Sequence, residues 1–217
     1  MYAAMGTRPD IAYSTTILSQ FLQNPARSHW VALKRVLRYL KGTQHAQLVY
    51  QQTADTSADQ PLTIQGYSDS DWGNDANDRR SVTGWIFLLY GCAVSWQSRK
   101  QRTTALSSVE AEYMAAASAA KEAVWWRRFL TELGLPPSGP TVIHSDSQGS
   151  IALANNPDHH DRTKHIDLRY HYLREQVALR AIRPEFVGTE LMLADVLTKP
   201  LSRDRHQALV TKVGLTA

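Results

Sequence analysis

Three strand-like runs follow one another with little between them: Leu62 to Ser70, Val82 to Tyr90 and Ala93 to Gln97. The first connection is a short charged loop, Asn74 to Arg80, and the second is the Gly91-Cys92 turn. A parallel crossover usually carries a helix, so connections of this kind predict an antiparallel meander. Trp85 and Trp96 read as core or inter-strand packing on that meander rather than as platforms for stacking bases.

Beyond the meander, helices and strands alternate. Ser107-Ser108-Val109-Glu110 is a capping-box signature that opens a long Ala-rich helix, with Val109, Tyr113, Ala116, Ala120 and Val124 along its buried stripe. Trp125 and Trp126 read as packing residues near its end, and Gly134 with Pro136-Pro137 stops it. Thr141 to Ser145 is a strand, Ser147 to Asn155 a helix, Leu168 to Leu179 a helix and Ile182 to Val187 a last strand. Leu191 to Leu197 is a short final helix, and Asp204 to Val213 adds one in the tail. The order β-β-β-α-β-α-β-α predicts an α/β fold, a mixed sheet with helices on its faces.

Ahead of the meander, residues 8–23 carry Ile11, Leu18, Phe21 and Leu22 at helical spacing, with Pro9 in the first turn and a stop at Asn24-Pro25. A second helix runs from an N-cap near Ser28 through Trp30, Leu33, Leu37 and Leu40 to Gly42, read as its C-terminal cap. The short joint predicts a helical hairpin. Arg27, Lys34, Arg38 and Lys41 form a basic stripe, either a solvated face or one that tracks phosphates. Gln47 to Gln51 suits a short strand. The polar stretch 53–61 reads as a linker, dividing the chain into residues 1–52, a main domain over 62–200 and a tail over 201–217.

Four acids stand where these elements end or turn inward: Asp69, Glu112, Asp146 and Asp195. Each has an ordinary reading as well. A strand-end Asp makes turns, an Asp before a helix caps it, and a Glu at the rim of a helix stripe is solvated. Glu110 and Glu112 point about 200° apart, so Glu112 can face the fold while Glu110 serves the helix start. Carboxylates gathered in one pocket repel one another unless cations join them. Mg²⁺ takes oxygen ligands, and two such ions can activate water and stabilise a leaving oxygen in phosphodiester hydrolysis.

Of the 217 residues, 43% are hydrophobic and 20% charged, with a formal net charge of +4, a mild excess compatible with a polyanionic partner. A single cysteine, Cys92, excludes an internal disulfide framework and a multi-cysteine zinc site. No apolar run is long enough for a membrane span, and the first residues do not form a signal peptide. An intracellular protein, cytoplasmic or nuclear, without a membrane partner is expected.

The run Gly66-Tyr67-Ser68-Asp69-Ser70-Asp71-Trp72, then Ser81 to Gly84, Val94 to Gln101, Ala105 to Tyr113, Asp146-Ser147-Gln148, Arg162 to Asp167 and Ala194-Asp195, resembles the ribonuclease H domain of copia-type retrotransposon polyproteins. Thr7 to Ile11 and Lys34 to Thr43 resemble the segment joining the reverse transcriptase to that domain, so residues 1–52 are expected to be a C-terminal remnant of a reverse transcriptase. The resemblance covers nearly the whole chain and implies a ribonuclease H-like fold with a five-stranded mixed sheet. It further implies hydrolysis of the RNA strand of RNA–DNA hybrids with Mg²⁺ or Mn²⁺. Asp69, Glu112, Asp146 and Asp195 take the places of the catalytic, metal-binding acids, and a polymerase domain is the implied partner. Asp71 is the rival to Asp69, which is preferred because it comes directly after Tyr67-Ser68.

Substrate contacts are expected from Arg79, Arg80, Arg99, Lys100, Gln101 and Arg102 through phosphates, and from Ser147 and Gln148 through 2′-hydroxyls. Many members of the family have a His before the last acid. Val187 to Met192 contains none; His165 could stand in for it, but a structural or substrate-touching role is the preferred reading. The chain lacks a Tyr-x-Asp-Asp polymerase motif, an integrase zinc cluster and an Asp-Ser/Thr-Gly protease motif. It is expected to be a remnant or a truncated gene product. The alternative to a nuclease is a non-catalytic nucleic-acid-binding or dimerisation remnant.

Overall fold

The structure is a computed structural model that describes residues 1–50, 62–75, 77–156 and 167–216. The expected linker at 53–61, together with His165, lies outside the described residues.

The helices are α1 (Tyr2–Gly6), α2 (Ala12–Ser19), α3 (Arg27–Gly42), α4 (Ser108–Glu132), α5 (Gln148–Asn155), α6 (Asp167–Ala178) and α7 (Arg203–Lys212). The strands are β1 (Gln47–Leu48), β2 (Ile64–Ser70), β3 (Val82–Leu89), β4 (Cys92–Lys100), β5 (Thr141–Ser145), β6 (Ile182–Phe186) and β7 (Leu215–Thr216). The main sheet has five strands in the order β4-β3-β2-β5-β6. β2, β3 and β4 pair antiparallel, and β5 joins β2 and β6 in parallel. This is the mixed sheet that the sequence predicts, with the arrangement of a ribonuclease H-like fold. β2 is central, which buries both of its faces.

Alternation along β3 divides the core in two. Trp85 and Phe87 face Tyr113, Ala116, Ala119, Ala120 and Ala123 of α4, with Leu173 of α6 and Ala154 of α5 behind them. The many alanines of α4 let that helix lie close against the sheet. Ile86 and Leu88 point the other way, onto Ala12, Leu193, Leu197, Leu209, Val210 and Val213. The second face is thus covered by the chain's two ends together.

The N-terminal segment is tied to that face by specific bonds. Trp96 Nε1 donates to Ala4 O (2.7 Å), Thr16 Oγ1 to Ser98 O (2.8 Å), and β1 pairs with β7. Buried Arg8 and Asp10 form an ion pair at 2.7 Å; Asp10 also accepts from Tyr39 Oη (2.7 Å) and Arg8 donates to Thr43 Oγ1 (2.6 Å). The helix expected over 8–23 is a 3₁₀ turn at Pro9–Ile11 followed by the shorter α2. α3 begins one residue before the proposed Ser28 cap. His29 Nδ1 accepts the Ala26 N–H (3.0 Å), a reach-back contact that needs no side-chain oxygen at residue 26. Gly42 belongs to the helix itself, and Thr43 is the cap.

Candidate metal centre

Asp69 is the penultimate residue of β2, Glu112 lies in the second turn of α4, and Asp146 comes directly after the last residue of β5. Parallel pairing of β2 with β5 brings those two strand ends side by side. α4 is set by its cap, where Ser107 Oγ accepts the Glu110 N–H (3.1 Å) and Glu110 Oε2 accepts the Leu106 N–H (2.8 Å). With Glu110 engaged at the helix start, Glu112 turns to the sheet, and its Oε1 accepts the backbone N–H of Ser70 at 3.2 Å. One carboxylate oxygen from each of Asp69, Glu112 and Asp146 lies within 4.8 Å of the others. Glu112 Oε2 is buried and has no hydrogen-bond partner.

The electrostatics of Asp69 and Glu112 are unfavourable as they stand. Burial, with repulsion from Asp69 and Asp146 added, pushes the Glu112 carboxyl up to about 9. Burial pushes Asp69 up to about 6 even though Lys199 and a hydrogen bond from Thr198 favour its charged form. Hard oxygen donors, crowded and incompletely balanced by cations, are the donor set that a divalent ion such as Mg²⁺ or Mn²⁺ takes.

Asp195 stands apart from the three-acid group. It is buried in the 3₁₀ helix Leu193–Leu197 and held by two cations, Lys199 Nζ on Oδ1 (2.8 Å) and Arg205 Nη2 on Oδ2 (2.7 Å). The expectation that it meets the other three acids directly gives way to a link through Lys199, which also reaches Asp69 Oδ2 at 3.3 Å. Thr198 donates to Asp69 Oδ2 as well. Arg205 further bonds Glu190 (2.8 Å) and Thr189 O (2.6 Å), and Thr189 Oγ1 donates to Asp146 Oδ2 at 3.1 Å. Reading the sequence alone does not single out Thr198, Lys199 or Arg205. The Asp195–Lys199 spacing of four residues is the signal that marks a helical ion pair. Asp71 shapes the turn: its carboxylate accepts the Val82 N–H and its own N–H donates to Val82 O.

The residues expected to touch substrate are scattered more widely. Arg79 and Arg80 are exposed in the β2–β3 loop, with Arg80 3.7 Å from Asp78. Lys100 is paired with Asp75 and Asp78. Gln101 is buried, and its amide nitrogen donates to Ser70 Oγ, Thr83 Oγ1 and Ala111 O, bracing sheet against helix. Ser147 caps α5, and Gln148 is exposed beside Asp146. An open cleft of about 510 Å³ runs between β4 and α4, lined by Gln97, Arg99, Arg102, Ser118, Lys121 and Trp125 among others. Trp125, read as a packing residue, stacks on Phe129 and is also 51% exposed.

Sheet order and carboxylate cluster together define a domain of ribonuclease H-like fold. No family model matches the chain. Over 99% of its length it is 42% identical to the retrovirus-related Pol polyprotein from transposon TNT 1-94 of Nicotiana tabacum, and over 96% it is 44% identical to that from transposon RE2 of Arabidopsis thaliana. The crystal structure of LC11-RNase H1 in complex with RNA/DNA hybrid aligns at a TM-score of 0.47 and 14% identity, covering 63% of this chain and 94% of that one. The chain belongs to the family of retrovirus-related Pol polyproteins of copia-type transposons. It spans only 16% and 14% of the length of the two relatives. No helix among the described residues is long and apolar enough to cross a membrane.

Proposed function

We propose that this chain is the ribonuclease H part of a retrotransposon polyprotein, a divalent-metal-dependent endonuclease that cuts the RNA strand of RNA–DNA hybrids. The observation that carries the reading is the convergence of Asp69, Glu112 and Asp146, from three separate elements, to within 4.8 Å. These three would hold Mg²⁺ or Mn²⁺. A bound ion there supplies charge for an attacking water and for the scissile phosphate. Glu112, anchored on Ser70 N–H, and Asp69, anchored by Thr198, keep their oxygens in place before the ion arrives. Asp195 acts from the next position out, holding Lys199 and Arg205.

Substrate would lie across the carboxylate end of the sheet. Gln148 and the cap of Ser147 sit beside Asp146, suitably placed for the RNA strand. Arg99, Arg102 and Lys121 in the cleft, with exposed Arg79 and Arg80, would take phosphates, and Trp125 offers an open ring. His165 belongs to the same proposal as a substrate contact. Residues 1–52 would be the end of the reverse transcriptase, whose polymerase domain is the partner, in an intracellular setting.

The test is a labelled RNA–DNA hybrid given to the purified chain with Mg²⁺, alongside Asp69→Asn and Asp146→Asn. Metal-dependent cutting of RNA alone, lost in both variants, supports the proposal. Binding without cutting in the unaltered chain overturns it in favour of a nucleic-acid-binding remnant.

A further inference from the structure

Lys199 stands between two buried carboxylates that belong to different parts of the site. Its Nζ is 2.8 Å from Asp195 Oδ1, 3.3 Å from Asp69 Oδ2 and 3.4 Å from Asp69 Oδ1. The two acids are 1% exposed, whereas the lysine side chain is 33% exposed. Asp69 is also a member of the three-acid group, and among the described residues neither Glu112 nor Asp146 makes an ion pair. One side of Asp69 therefore touches the lysine ammonium, and the other faces two carboxylates that make no ion pair of their own among the described residues.

We propose that Lys199 is a built-in counterion that holds the place of a second divalent ion between Asp69 and Asp195. The inference rests on the metal-dependent reading of the three-acid group and adds a limit to it. In the free protein one ion binds, at Asp69, Glu112 and Asp146, and a second enters only when Lys199 leaves. The reason is exclusion. Mg²⁺ needs oxygens at about 2.1 Å, and an ammonium within hydrogen-bond reach of the same oxygens fills that space. Arg205 stays on Asp195 Oδ2, so Oδ1 is the oxygen that departure of Lys199 releases. Lysine suits an exchangeable role because its charge is a point on a flexible stem, in contrast to the guanidinium of Arg205, which is fixed by three partners.

The experiment is a Mn²⁺ titration of the full chain, free ion being read by electron paramagnetic resonance, for the natural sequence, Lys199→Met and Asp69→Asn. The expected result is about one bound Mn²⁺ per chain for the natural sequence, with a second only at far higher concentration. Lys199→Met is expected to take up about two at the lower concentration, and Asp69→Asn to lose both. An isotherm of Lys199→Met that overlays the natural one overturns the role of Lys199 and leaves the three-acid reading standing. Absence of Mn²⁺ binding in the natural chain overturns both. Should Lys199→Met fail to fold, acylation of Lys199 in the natural chain, read by mass spectrometry, decides. It is expected to rise as the second ion binds, and an unchanged extent contradicts the exchange.

Discussion

Asp69 lies directly opposite Gly84 in the antiparallel pair of β2 and β3. A Cβ on Gly84 would stand 2.5 Å from Thr198 Cγ2 and 2.8 Å from Leu197 Cβ. The empty place beside Asp69 is what admits the 3₁₀ helix and lets Thr198 and Lys199 reach the carboxylate. Gly84→Ala should therefore lower stability by about 1–3 kcal/mol through overpacking and loosen both contacts to Asp69. Urea unfolding checks the first effect. Replacing Thr198 by Val in the Gly84→Ala background should add little further loss, because the bond that it removes is already disturbed.

The raised carboxyls set a pH dependence for the metal-free protein. In the unfolded chain Glu112 titrates near its ordinary 4.5, and in the folded protein near 9. The folded state thus binds this proton more tightly, so its stabilising contribution is complete below about pH 4.5 and is lost as the pH rises towards 9. Asp69 adds a narrower window, from 3.8 to about 6. In the presence of a chelator, unfolding free energy should fall between pH 5 and pH 9, and Glu112→Gln should flatten most of that slope. A divalent ion, which binds the charged acids, should restore stability at the alkaline end.

Arg205 links three pieces of the site's outer wall: Asp195, Glu190 and the carbonyl of Thr189, whose hydroxyl in turn meets Asp146. Arg205→Met leaves the buried Asp195 with Lys199 alone. A loss of roughly 1–3 kcal/mol is expected for a charge-assisted bond to a buried carboxylate, together with weaker divalent-ion binding as Asp146 loses its neighbour's support. Calorimetric titration of the variant with Mn²⁺ measures the second effect.

The N-terminal segment shares in covering one face of the sheet, where Ala12, Ala46 and Leu48 join the cluster of Leu88, Leu193 and Leu209, and its removal would thin that cover. A chain beginning at residue 62 should aggregate or unfold at a much lower temperature than the full chain, since a large uncovered apolar patch and an unpaired β7 edge both favour association. Within the intact chain, Asp10→Ala should cost about 3–5 kcal/mol, because it leaves Arg8 buried without its partner.

Most of the architecture is legible in the residues. The meander, the β5 strand and the start of α4 can be read because alternation, a nearby glycine and a capping box are local signals, although the turn expected at Gly91-Cys92 lies at Tyr90-Gly91 and Cys92 opens β4. Gly42 misleads because a glycine near a helix end suggests a cap, yet Thr43 comes after it and bonds back to Tyr39 and Leu40. Trp125 packs on Trp126 and Phe129 as read, but the sequence does not show that it also opens onto the cleft. Asp69 and Asp146 are legible as strand ends, and Glu112 by its place on the inward side of α4. The bridging of Asp195 to Asp69 by Lys199 is not, because the two cations that hold Asp195 come from residues 199 and 205, and only the folded chain shows that they converge.

Joint binding of a divalent ion by Asp69, Glu112 and Asp146 is the step on which the proposed nuclease activity depends. A crystal grown with Mn²⁺ and measured at an anomalous wavelength tests it most directly. A strong peak is expected among the three carboxylates, at about 2.1–2.2 Å from an oxygen of each. A crystal with Mn²⁺ bound elsewhere and no peak among these three acids would contradict it.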